Sequence, residues 1–179
     1  VRILDFTRIL AGPTCTQLLG DYGADVIKVE KPGLGDDTRA WGPPYTIDAN
    51  GQATDESAYY LSANRNKRSL ALNIADPKDV EIIKAIIVHC DIFIENFKVG
   101  GLKKFGLDYA SLKKNNPSLI YCSITGFGQT GPNAHKPGYD LLAQAFGGIM
   151  SLTGEPNGEP MKVGVGVADV VCGLYAATA

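Results

Sequence analysis

Apolar and polar positions along this chain follow two rhythms: short apolar runs bounded by turn residues, and longer stretches with apolar side chains three or four apart. VRILDF suits a buried strand. It is followed by the turn residues of AGP, and Pro13 fits the first turn of a helix reaching about Tyr22. ADVIKVE is a second strand, stopped by KPGLGDD. Residues 32–58, rich in Gly, Pro, Asp and Thr, form a long surface excursion. SLALNI is a third strand. DPKDVEIIKAIIVHC then sets Val80, Ile83, Ile86 and Ile87 at helical spacing, with Asp76 as N-cap and Pro77 at the first helical position. DIFIEN is a fourth strand, LDYASLKKNN a short helix ended by Pro117, and LIYCSITGFG a fifth strand entering a Gly-rich turn. YDLLAQAFGGIM is a helix, and another follows Asp169.

Strands alternating with helices predict βαβ units and an α/β fold, a doubly wound, mostly parallel Rossmann-like sheet. Ligands of such sheets bind beyond the carboxyl ends of the strands. Here those ends are TRILAGP, KVEKPG, ALNIAD, IENFKVGG and ITGFGQTG.

The 179 residues are 45 % hydrophobic, enough for one domain with a core. A net charge of −2 offers no footprint for nucleic acid or an anionic membrane surface, and no apolar run is long enough to span a bilayer. VRILDF reads as a core strand, not a secretory leader. Cys15, Cys90, Cys122 and Cys172, with His89 and His135, show no metal-site spacing, so no metal is expected, and the thiols read as reduced residues of an intracellular protein. The first residue already lies in a strand and the last in a helix, so the chain reads as part of a longer protein.

Several segments could carry chemistry. Glu30 and Lys31 end the second strand, where an acid could hold a ribose hydroxyl; RILAGPTC lacks the dinucleotide glycine fingerprint, and the pair also reads as polar residues leaving a sheet. Arg65, Lys67 and Arg68 suit a phosphate, or else pair with Asp36, Asp37, Asp55 and Glu56. IENFKVGGLKKFG is either a nucleotide cradle or an ordinary turn with exposed lysines, and ITGFGQTGPNAHKPGYD either lets backbone approach a ligand or is a plain surface loop. Asp169 is the one charged side chain in VGVGVADVVCGLYAATA. It is either the N-cap of the last helix or a nucleophile, ionised at neutral pH from an unperturbed pKa of about 3.9 and needing no general base.

Together, LDFTRILAGPTCTQLLGDYGADVIKVEKPGLGDDTR, YYLSANRNKRSLALNI, DIFIENFKVGGLKKFGL, IYCSITGFGQTGP, GYDLLAQAFGGIMSLTG and GVADVVCGLYAA resemble the class III CoA-transferases. This is the formyl-CoA transferase and carnitine CoA-transferase family, which includes alpha-methylacyl-CoA racemase. The resemblance implies that residues 1–179 are the N-terminal part of the large CoA-binding domain of an interlocked homodimer, without its small domain and C-terminal return. It matches Asp169 to the catalytic aspartate, with coenzyme A, as acyl-CoA, the substrate. By position it sets Leu10 and Ala11 near the thioester, Lys31 at the nucleotide phosphates, and Leu72 and Asn73 beside the adenine. Asn96, Phe97 and Lys98 follow the fourth strand, Lys104 binds phosphate, and Lys136 to Tyr139 flank the pantetheine arm.

Formyl-CoA transferase has Gln at the place of Leu10, which argues against formyl-CoA as donor. The racemase has GHD where this chain reads GYD, and Tyr139, with an ordinary pKa near 10, is a poor base for proton transfer at an α-carbon. GDDTRAWGPPY, YYLSANRNKRSLALNI and YCSITGFGQTGP look most like the branch using succinyl-CoA-type donors. The alternatives are a 2-methylacyl-CoA racemase and a catalytically silent CoA-binding module. The expected compartment is the cytoplasm, with the mitochondrial matrix as alternative.

Overall fold

In the computed structural model, which describes residues 1–179, five parallel strands form one sheet in the order β5-β2-β1-β6-β7. The strands are β1 (Arg2–Phe6), β2 (Asp25–Glu30), β5 (Lys67–Ala71), β6 (Ile92–Glu95) and β7 (Ile120–Ser123). Strands β3 (Tyr45–Ile47) and β4 (Ala53–Ser57) form a separate antiparallel hairpin inside the expected excursion. The helices are α1 (Ala11–Asp21), α2 (Ala58–Asn64), α3 (Pro77–Ile87), α4 (Tyr109–Asn115), α5 (Asp140–Phe146) and α6 (Val167–Thr178). From β1 the sheet grows outward through β2 and β5, then returns to the other side of β1 through β6 and β7. The order therefore reverses between β1 and β6, and that is where an open α/β sheet leaves a crevice.

Alternation along β1 divides the core. Leu4 and Phe6 point to one face and join Val80, Ile83 and Ile87 of α3, Phe93 and Leu112. Ile3 points to the other face with Cys15 of α1, Val26 and Ile94, against Ala176 and Ala177 of α6. The apolar spacing in α3 is thus its buried stripe, and Asp76 caps it by accepting from Lys78 N at 2.9 Å.

Asp5 shares the face of Ile3 and lies entirely out of solvent beneath α1. Burial opposes its charge, but Lys67, Lys28 and the hydroxyls of Thr16 and Thr7 prevail and hold its carboxyl below the usual range. The Thr16 and Thr7 hydroxyls donate to it at 2.5 Å each, and Lys67 Nζ approaches at 3.3 Å while bonding Pro13 O and Asn64 Oδ1.

Two expectations change. Helix α2 falls where a loop-to-strand passage was expected; Ser57 caps it, accepting from Tyr60 N at 3.0 Å. The basic cluster Arg65, Lys67 and Arg68 holds no open phosphate site. Arg65 pairs with Asp21, Lys67 with Asp5 and Arg68 with Asp25, and with none of the expected Asp36, Asp37, Asp55 and Glu56.

Helix α6 packs along α1. They come close at Gly173, where an added Cβ would stand 2.5 Å from Ala11 O and 2.8 Å from Thr14 Cβ. Gly173→Ala gains about 1 kcal/mol in helix propensity but meets backbone, and overpacking of this kind costs about 1–3 kcal/mol. The expected result is a lower urea midpoint. Asp5→Ala leaves Lys67 buried without its carboxylate and lowers stability by about 3–5 kcal/mol in the same assay.

Candidate active site

Two cavities lie side by side over the carboxyl edge of the sheet. The first, about 660 Å³, opens over β1, β2 and β5; its lining includes Thr7, Lys31, Trp41, Leu72, Asn73 and Phe97. The second, about 530 Å³, lies on the β7 side; its lining includes Leu10, Ala11, Asn96, Phe127, Tyr139 and Asp169. Arg8 lines both, so the partition between them stands at the β1–β6 switch point.

Of the residues singled out in the sequence, Lys31, Leu72, Asn73 and Phe97 meet in the first cavity, and Leu10, Ala11, Asn96, Tyr139 and Asp169 in the second. Lys98, Lys104 and Lys136 are exposed and line neither. Glu30 borders the first cavity, but its oxygens accept from Arg39, Tyr60, Ser69 and the Asp36 N–H, which overcome its burial and hold it at about 2. It is thereby committed to structure. Lys28 also borders that cavity, 1 % exposed, with its ammonium bound to Asp36 at 2.8 Å and Thr7 O at 2.9 Å. Lys31 carries the cavity's exposed ammonium.

The partition is built from backbone. Asn96 grips Arg8 on both sides: Arg8 N donates to its Oδ1 at 3.0 Å, and its Nδ2 donates to Arg8 O at 2.8 Å. The next residue, Ile9, adopts φ +69°, and its N–H points to the Asp36 carboxylate at 3.2 Å. This turn delivers the chain into α1, whose N-cap residue Leu10 supplies no side-chain cap. Leu10 and Ala11, where α1 begins, line the second cavity, and no side chain caps the N–H groups of that first turn.

The cap reading of Asp169 is corrected by the geometry. Asp169 is the third residue of α6, after the N-cap Gly166. Asp140, from α5, closes that helix end instead, accepting from Ala168 N at 2.8 Å and Asp169 N at 3.3 Å while Gln144 Nε2 donates to its other oxygen at 2.7 Å. Sequence could not reveal this, because the capping carboxylate comes from another helix. Asp169 keeps its own carboxylate clear of helix bonds, half-buried in the cavity. Burial, then the Asp140 charge, pushes it up to about 6, away from the ordinary value expected from the sequence.

The glycine loop closes the far wall. Gly126 and Gly138 touch so closely that a Cβ on Gly126 would lie 2.3 Å from Gly138 Cα, which brings Phe127 and Tyr139 to the same cavity. Tyr59, on α2, was not singled out in the sequence. Burial and the charges of Asp169 and Asp140 raise its phenol above the usual range, and its ring meets Trp41 edge-on at 5.2 Å. Its sequence signal was Ser57, the cap that starts α2.

The two cavities thus meet at Arg8, and the second holds a half-buried carboxylate that no other side chain or helix N–H shares. Residues 1–179 match the model of CoA-transferase family III along their whole length. The chain belongs to CoA-transferase family III. It is 53 % identical over 176 residues to the succinyl-CoA:glutarate CoA-transferase of Mus musculus, covering 98 % of this chain and 39 % of that protein. It is 52 % identical over 179 residues to the succinate–glutarate CoA-transferase of Agrobacterium fabrum, covering 100 % of this chain and 44 % of the relative. The crystal structure of a CAIB/BAIF family protein from Brucella suis superposes with a TM-score of 0.94 at 52 % identity, over 99 % of this chain and 46 % of the other. This family III chain spans about two fifths of the length of the curated relatives it matches. No helix in it is long and apolar enough to cross a membrane.

Because the folded-state pKa of Asp169 is raised, the native state prefers its proton and ionisation costs stability. The cost is absent below the unfolded value of about 4 and complete above about 6. Asp169→Asn is therefore expected to raise the melting temperature at pH 7–8 and to leave it nearly unchanged near pH 4. Thermal melts at the two pH values check this.

Proposed function

We propose that this chain carries the CoA site and the nucleophile of a transferase moving CoA from a dicarboxylyl-CoA, such as succinyl-CoA, to a free dicarboxylic acid. The observation that carries the reading is the Asp169 carboxylate: half-buried, raised to about 6, and released from capping by Asp140. The activities for which relatives at 47–53 % identity are named, succinyl-CoA:glutarate and succinyl-CoA:mesaconate transfer, support the substrate class.

The chemistry follows from the arrangement. The nucleotide end of CoA occupies the first cavity, with Lys31 toward its phosphates, Leu72 and Asn73 beside the base, and Phe97 on the wall. Lys98 and Lys104, on the turn after β6, and Lys136, before α5, meet the parts of CoA that emerge from the cavities. The pantetheine arm crosses the partition at Asn96 and delivers the thioester between Leu10, Ala11 and Asp169.

An Asp169 oxygen attacks the thioester carbonyl, the C–S bond breaks, and CoA leaves as thiolate, giving a mixed anhydride. The N–H groups at the start of α1 stabilise the oxyanion formed on the way. The thiolate then attacks the Asp169 carbonyl carbon, releasing the donor acid and leaving an aspartyl-CoA thioester. The acceptor carboxylate attacks that thioester and expels thiolate, which attacks the acceptor carbonyl of the new anhydride. Acceptor-CoA and the free Asp169 carboxylate result, with no net proton taken or released. A carboxylate with a raised pKa is a better nucleophile than an ordinary one, yet at pH 7 it is still mostly ionised.

The 179 residues form the N-terminal part of a large domain in an interlocked homodimer working in the cytoplasm. The exposed Phe146, Leu152 and Tyr175, on or near α5 and α6, support a surface that a partner covers.

Hydroxylamine quenching of the protein with succinyl-CoA is expected to leave a hydroxamate on Asp169, read by peptide mass spectrometry. An unmodified Asp169 under turnover would end the covalent reading. The acylation rate should also fall about tenfold per pH unit below about 6, where Asp169 takes up its proton. A flat profile from pH 5 to 8 would assign the nucleophile elsewhere.

A further inference from the structure

The second cavity has a charge problem that a dicarboxylyl group would make worse. Asp140 and Asp169 both line it, and a distal carboxylate would add a third negative charge. The single cation in its lining is Arg8, which also lines the first cavity. Its guanidinium is loosely held. One donor, Nη1, bonds Asp37 at 2.7 Å, and both side chains are about half exposed. By contrast, Arg39 bonds Glu30, Glu56 and Tyr60 together, and Arg68 holds Asp25 through Nε and Nη2. Arg8 thus keeps Nε and Nη2 free, the fork that matches a carboxylate. Its backbone, meanwhile, is fixed on both sides by Asn96, so the side chain can turn while its base stays still. Exposed ion pairs such as Arg8–Asp37 contribute little to stability, and exchange of Asp37 for a substrate carboxylate is easy.

We propose that Arg8 is the specificity residue that binds the distal carboxylate of the dicarboxylyl group in the second cavity. Lys31 is then left to serve the nucleotide phosphates in the first. This rests on the transferase reading above. The residue type cannot be exchanged freely: Gln keeps the length and some hydrogen bonding without charge, and Lys keeps the charge without the fork.

The test compares succinyl-CoA with butyryl-CoA, a neutral acyl group of the same chain length, in full-length wild type, Arg8→Gln and Arg8→Lys. The readouts are dissociation constants by calorimetry and kcat/KM for transfer to glutarate. Wild type should prefer succinyl-CoA. Arg8→Gln should lower that preference about 10- to 100-fold, the usual effect of losing a charge-assisted hydrogen bond, and Arg8→Lys should restore part of it. If Arg8→Gln weakens both thioesters equally, Arg8 serves the CoA portion they share and the proposal is overturned; an unchanged preference overturns it too. If wild type transfers CoA from neither donor, the transferase reading falls, while the ratio of dissociation constants still decides the role of Arg8.

Discussion

The buried pair of Asp5 and Lys67 is the constraint around which the chain is arranged. A carboxylate fully removed from water needs several donors, and those around Asp5 come from three elements: Thr7 after β1, Thr16 in α1 and Lys67 in β5. Lys67 in turn binds Pro13 O at the start of α1 and Asn64 at the end of α2. Satisfying one charge therefore fixes α1 over the sheet, the edge strand β5 and the short helix α2 in one arrangement. A second buried pair, Lys28 with Asp36, adjoins it through Thr7 O. Losing any one partner in this network would leave a charge or a donor stranded away from water.

The site follows from this frame. Helix α1 is held by its polar underside, so its N-terminus points at one place. Helix α6 is held against α1 by the absence of a side chain at Gly173. Asp169, one turn before that glycine, is thereby fixed relative to Ala11. Asp140 completes the arrangement by a division of labour. It takes the stabilising role of an acid at a helix N-terminus, and after burial its charge is what raises the neighbouring Asp169 carboxyl.

Much of this was legible in the sequence. The core strands and α3 announced themselves by apolar runs and a clean helical stripe, and Asp76–Pro77 marked a start that the structure reproduces. Asp169 stood out because a lone carboxylate in an apolar segment needs a reason. What could not be read were relations between distant residues. Asp140 caps a helix 28 positions away. Arg65, Lys67 and Arg68 reach back 44, 62 and 43 positions to their partners, past nearer acids. Helix α2 has too few residues for a periodic signal, and its cap was hidden in a stretch that composition marked as loop. Local patterning thus specified elements, while pairing of charges depended on which strand lay beside which.

The turn at Arg8 and Ile9 joins these levels. A β-branched residue at φ +69° is a strained conformation, costing about 1–2 kcal/mol relative to a relaxed backbone. It persists because Asn96 from β6's end holds Arg8 and because Asp36, itself fixed by Lys28, holds the Ile9 N–H. A glycine would remove the strain but would also free the backbone to move. The strain sits where the sheet reverses direction, on the wall that any ligand filling both cavities must cross. It is held there by its neighbours: the chain leaves β1, turns past Asn96 and enters α1 at Leu10 and Ala11, which line the same cavity as Asp169. Three bonds to the turn, two from Asn96 and one from Asp36, hold the strained conformation in place, and Lys28 in turn fixes Asp36.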